Sequence, residues 1–108
     1  MGISLDELKK EVGVRRSLSE LPDEFEGVIV DYRLDSDRRG RKAFFLTIQL
    51  DDGATITQKY TAMHLQDLIM ALGRMKDIKV IDDIKGRRFR FIRKEYRIGM
   101  PRWIPQPV

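Results

Sequence analysis

The feature that most constrains the fold of this 108-residue chain is a change of hydrophobic period. Phe44, Leu46, Ile48 and Leu50 alternate with Ala43, Phe45, Thr47 and Gln49, the period-two pattern of a strand with one face in a core. Asp51-Asp52-Gly53 then marks a tight turn, and Ala54–Thr61 reads as the returning strand of a hairpin. Upstream, Val28, Val30, Tyr32 and Leu34 alternate with Ile29, Asp31 and Arg33, which predicts an earlier strand. Downstream the spacing switches. Leu65, Leu68, Ile69 and Leu72 follow a helical repeat from Thr61 or Ala62 to about Met75, with Thr61 as the expected N-cap. Period two returns in Arg87–Arg93 and Glu95–Met100, the expected fourth and fifth strands. Pro101, Pro105 and Pro107 exclude the tail from a central strand.

At the other end, Ser4-Leu5-Asp6-Glu7 has the form of a capping box, and Leu5, Leu8 and Val12 share one helical face. A short N-terminal helix and a linker are expected over residues 1–24, ahead of a single β-rich domain over 25–108. No apolar run is long enough to cross a bilayer as a helix, and no membrane partner is expected. With no apolar leader at the N-terminus, a soluble cytoplasmic protein is the expectation. The chain has neither cysteine nor asparagine and is rich in Lys, Arg and Glu, a usage that fits a thermophile. With no thiol and only His64, an N/S zinc site is excluded. No phosphate loop, nucleophile elbow or histidine-based triad is present, so no cofactor, metal or catalytic residue is assigned and an enzyme is not expected.

Charge is distributed unevenly. Residues 1–34 balance to −3, residues 35–83 to zero and residues 84–108 to +7. The segment Lys85–Arg97, KGRRFRFIRKEYR, interleaves cations with Phe89, Phe91 and Tyr96. Spaced cations suit phosphates, and flat rings suit unpaired bases. A second basic cluster, Arg38, Arg39, Arg41 and Lys42, falls on the polar loop after the first strand. A charge run is as often a solvated strand face, and two clusters gain meaning only if they share one groove.

Three strands, one helix and two strands form the element order of the OB-fold, a partly open five-stranded barrel. The block from Phe25 to Trp103 resembles small single-stranded nucleic-acid-binding OB-fold proteins, through the basic first loop, the helix after the third strand and the IKGRRFRF entry to the fourth. The fold class expected is therefore mainly β with helices, a five-stranded OB-fold barrel with a short extra N-terminal helix. The resemblance implies that ligand crosses the second and third strands between the loops joining strands one–two and four–five. Those positions are Phe45, Thr47, Lys59, the 35–42 loop and the 93–97 turn. Phe45 has the parity opposite to Phe44 and is expected outside, where a base could cover it. Arg88, Arg90, Arg93, Lys94 and Arg97 are expected to meet phosphates, and Tyr96 to stack. Trp103 is a second stacking candidate, with core sealing favoured about two to one. The expected partner is single-stranded DNA or RNA. The alternative is an assembly subunit using the barrel and residues 1–24 to meet a protein partner or a second copy.

Overall fold

The computed structural model describes residues 2, 21–36, 38–97 and 100–108. The helix expected from Ser4, most of the linker and Asp37 lie outside them. Five strands form one antiparallel sheet: β1 (Glu24–Ser36), β2 (Lys42–Gln49), β3 (Thr55–Thr61), β4 (Arg88–Lys94) and β5 (Arg102–Gln106), in the order β3-β2-β1-β4-β5. One α-helix, α1 (Met63–Gly73), joins β3 to β4, followed by a 3-10 turn at Ile81–Ile84.

The β2–β3 hairpin forms where Asp51-Asp52-Gly53 foretells it. Gly53 holds φ +85°, which a side chain would oppose, and Asp52 Oδ1 accepts the Ala54 N–H at 3.0 Å. β1 is long because it serves two partners. Its first half pairs with β4 (Phe25 opposite Phe91) and its second with β2 (Arg33 opposite Phe45). Gly27 lies in the half that meets β4, where a Cβ would come within 2.7 Å of Ile48 Cγ2 and 3.0 Å of the Gln49 carbonyl. Glycine is required there by close approach.

The simple alternation expected for β1 fails. The pairing shifts between Ile29 and Asp31, a bulge that exchanges the two faces. Ile29 is fully buried before it, while Tyr32 turns inward after it and stacks on Phe44 at 5.7 Å. Leu34 shares the parity of Tyr32 but runs past the core and is 61% exposed.

The fifth strand is also relocated. Glu95–Arg97 are not extended in the sheet, and the proline-punctuated tail forms β5 instead. Trp103 explains why proline is tolerated. Its N–H and C=O both point away from β4, toward β3. Pro101, Pro105 and Pro107 share the parity of Trp103, so the donor each lacks belongs to the side away from the β4 ladder.

The core gathers Ile29, Phe44, Leu46, Ile48, Ile56, Phe89 and Phe91 from the sheet, with Leu68, Ala71 and Leu72 from α1. Ile69, expected on the inner face of the helix, is 60% exposed, because the helix packs on β3 and β5 through a narrower stripe. Thr61 remains in β3, so it does not cap the helix. Ala62 takes that position with φ +50° and no side-chain cap bond.

The two edge strands meet through side chains. Gln58, fully buried on β3, donates from Nε2 to the Trp103 carbonyl at 3.0 Å. Its Oε1 accepts the Trp103 N–H at 2.8 Å. The Tyr60 hydroxyl donates to the same carbonyl at 2.6 Å and also accepts from Gln58 Nε2. The Gln58 carboxamide thus does for β5 what a neighbouring peptide unit does in a sheet. Outside this seam the Arg102 Nε donates to the Lys59 carbonyl.

Candidate nucleic-acid interface

The seam sets up the groove. Holding β5 against β3 places Arg102 beside Lys59, and the chain between β4 and β5 then faces the loop between β1 and β2. A groove of about 890 Å³ results, lined by Arg38, Arg39, Arg41, Lys59, Arg97 and Arg102. Thr61, Ala62, Met63, His64, Tyr96 and Met100 complete it. Among the described residues that line it, six are cationic and none carries a carboxylate. Met63 and Met100 are each 67% exposed there, adaptable apolar surface beside the charges.

Tyr96 is held from two sides. Its hydroxyl donates to Asp67 Oδ2 at 2.6 Å, and its ring meets the His64 ring edge-on at 4.4 Å. Burial and the Asp67 hydrogen bond both hold the phenol above its ordinary pKa, so it stays a neutral donor. Asp67 also accepts from Lys94 Nζ at 2.7 Å, and these two hydrogen bonds keep its carboxyl below the usual range. His64 Nδ1 is buried and has no hydrogen-bond partner among the described residues. Desolvation, then the nearby Arg102 charge, lower its pKa, while Asp67 opposes them.

The structure brings together Arg38, Arg39, Arg41, Lys59, Tyr96 and Arg97 of the residues singled out in the sequence. Lys42 is exposed at the start of β2, opposite Ser36 and outside the lining. Phe45 and Thr47 are half-buried on the outer face of the sheet. Phe45 lies between Arg33 and Lys59 in the register, with the Arg33 guanidinium 4.6 Å from its ring centroid.

The β4 cations are elsewhere, and their expected place at the groove is corrected. Arg88 forks onto Asp51 at 2.9 and 3.1 Å and reaches Glu26 at 2.9 Å. Arg90 is exposed, opposite Glu26 on one neighbour and Gln106 on the other. Arg93 pairs with Asp23 and Glu95. With Lys94 it lines a separate hollow of about 300 Å³ that also includes Asp67, Met70 and Arg74. Trp103 takes the core-sealing place favoured for it, and its stacking candidacy fails. It is 4% exposed, with Nε1 donating to the Pro22 carbonyl at 2.9 Å, so no ring face is open to a ligand.

Sequence reasoning passed over Arg102, His64, Met63 and Met100. Arg102 was legible in principle, because the alternate prolines around it share one parity and leave it on the β4 ladder. His64 gave no signal, since its burial depends on a ring 32 positions away in the chain. Asp51, Asp82 and Asp83 have separate partners: Arg88, the Tyr32 hydroxyl, and the Lys79 and Val80 N–H groups. Among the described residues, no group of three or more acidic or histidine side chains is arranged to hold a metal. Nor is any helix among them long and apolar enough to cross a membrane.

No protein-family model matches the chain, and a comparison with curated proteins found no match.

Proposed function

We propose that this chain is a non-catalytic module that binds single-stranded DNA or RNA, built on an OB-type barrel closed between β3 and β5. The closure is supported by the Gln58, Tyr60 and Arg102 bonds across that seam and by the division of β1 between β2 and β4. One observation carries the binding reading. Six cations, an anchored tyrosine and two exposed methionines line a single groove with no carboxylate among its described lining residues. Cations alone would suit any polyanion. The ring of Tyr96 and the thioethers of Met63 and Met100 suit base faces, which a duplex hides and a single strand offers.

Fluorescence anisotropy with labelled oligo-dT, the matching RNA and a duplex tests it. Both single strands should bind more tightly than the duplex. If all six cations meet phosphates, the log–log salt slope approaches about −4, from roughly −0.7 per contact. Absence of binding at low salt and micromolar protein would end the proposal.

A second reading, an assembly subunit, draws on Ile69 and Met70, which are exposed side by side on α1. Light scattering separates the two. Self-association abolished by Met70→Glu, with no oligonucleotide binding, selects assembly.

A further inference from the structure

The groove has a neighbour that no charge count reveals. Lys59 lines the groove and is registered with Phe45 on β2, which is registered in turn with Arg33 on β1. The three form one row across the outer face of the sheet. Adjacent members are about 5 Å apart between backbones. The Arg33 guanidinium lies over the Phe45 ring at 4.6 Å, and it is not held there by a strong ion pair. Its contact with Asp35 is 3.6 Å through Nε, with the two side chains 64% and 54% exposed. A guanidinium spread on a phenyl ring presents a flat cationic surface to solvent, one that accepts an unpaired base on its outer side.

We propose that Arg33, stacked on Phe45, forms a base-stacking subsite that continues the groove past Lys59 onto the sheet. The inference rests on the single-strand reading of the groove and adds to it a ligand residue and a direction of travel. A strand leaving the groove at Lys59 has its next base over Arg33. Lys59 holds the phosphate between them, and Phe45 supports the guanidinium from beneath. Phe45 is therefore a positioning residue here, and Arg33 is the group that touches the ligand.

The experiment compares wild type, Arg33→Ala and Arg33→Lys on oligo-dT and on a strand of equal length built from abasic nucleotides. Arg33 is exposed, so the variants should fold, and a thermal melt checks it. Arg33→Ala should weaken oligo-dT binding roughly tenfold, the scale of one lost base stack. Arg33→Lys should recover less than half of that on a logarithmic scale, because an ammonium keeps the charge without the plane. On the abasic strand all three proteins should bind alike to within about twofold. Equal weakening on both strands would reduce Arg33 to a phosphate contact and overturn the stacking subsite. So would an unchanged Arg33→Ala affinity for oligo-dT, while the groove proposal would stand. Wild type failing to bind either strand would remove the groove reading and the subsite with it.

Discussion

Two arginine-rich regions of this molecule look alike in sequence and differ in what surrounds them. On β4 and just before it, Lys85, Arg87, Arg88, Arg93 and Lys94 each meet a carboxylate: Asp31, Asp77, Asp51 with Glu26, Asp23 with Glu95, and Asp67. In the groove, Arg38, Lys59, Arg97 and Arg102 lie with Arg39 and Arg41 along a surface to which no carboxylate contributes among the described residues. The +7 balance of the last quarter of the chain is thus mostly answered locally by acids from earlier segments. What distinguishes a candidate polyanion site is where carboxylates are missing, more than where cations are dense. Surface ion pairs stabilise little, but they do occupy the cation.

The largest test of that contrast is a matched pair of charge changes. Arg38→Glu with Arg97→Glu should lower oligo-dT affinity roughly a hundredfold and flatten the salt slope by about 1.4, two contacts at roughly 0.7 each. Arg88→Gln with Arg93→Gln should change affinity by less than about threefold, through screened long-range charge alone. Equal losses in the two double variants, read by anisotropy, would erase the distinction between the regions.

The groove exists only while β5 stays on β3, so the seam is the next target. Gln58→Leu keeps the volume and strands the Trp103 N–H in the core. A loss of about 2–3 kcal/mol in urea unfolding is expected, with some loss of affinity because Arg102 and Lys59 are no longer held together. Unchanged stability would show that the carboxamide does not bridge the strands. Gly27, outside the groove lining, sits where β1 closely approaches Ile48 and Gln49 of β2. Gly27→Ala must push back Ile48 and the Gln49 backbone, at a cost of about 1–3 kcal/mol. Its effect on oligonucleotide affinity should be much smaller than that of Gln58→Leu.

The smallest expected effect is on pH. His64 has a folded pKa below its ordinary 6.5, so the folded protein favours neutral imidazole. Folding stability should therefore decline as pH falls from about 6.5 toward the lowered value. Phosphates in the groove would counter the Arg102 charge and raise that pKa, so binding takes up protons and affinity should rise by a few-fold over the same window. His64→Gln should remove this rise. A pH-independent affinity in wild type would place the phosphates away from His64.

Much of the architecture was legible in the sequence. Period-two runs located β2, β3 and β4, Asp51-Asp52-Gly53 located the hairpin, and the helical repeat located α1. Period two also holds within β4, where Phe89 and Phe91 are buried and Arg88 and Arg90 face out. Parity failed in β1, because a bulge leaves no mark in composition. The fifth strand was expected one segment too early, at Glu95–Met100; the prolines exclude the tail from a central strand, and β5 is an edge strand of the sheet. Proline bars only one side of a strand, and the side it occupies here has no backbone ladder. The lining of the candidate groove was legible only in part. Arg38, Arg39, Arg41, Lys59, Tyr96 and Arg97 were named and share a groove, whereas Lys42, Phe45, Thr47, Arg88, Arg90, Arg93, Lys94 and Trp103 were named and do not line it.

The sequence by itself determined the elements and the inner face of most of them. Hydrophobic periodicity acts over a few residues, and each local segment carries it whole. Tertiary structure alone decided which cations are matched by acids, which aromatic rings are covered, and that Gln58 joins the two edges of the sheet. Those outcomes depend on contacts between residues such as Arg88 and Asp51, or Gln58 and Trp103, that lie 37 and 45 positions apart. Coulomb and hydrogen-bond energies depend on distance in space, and only the folded chain sets that distance.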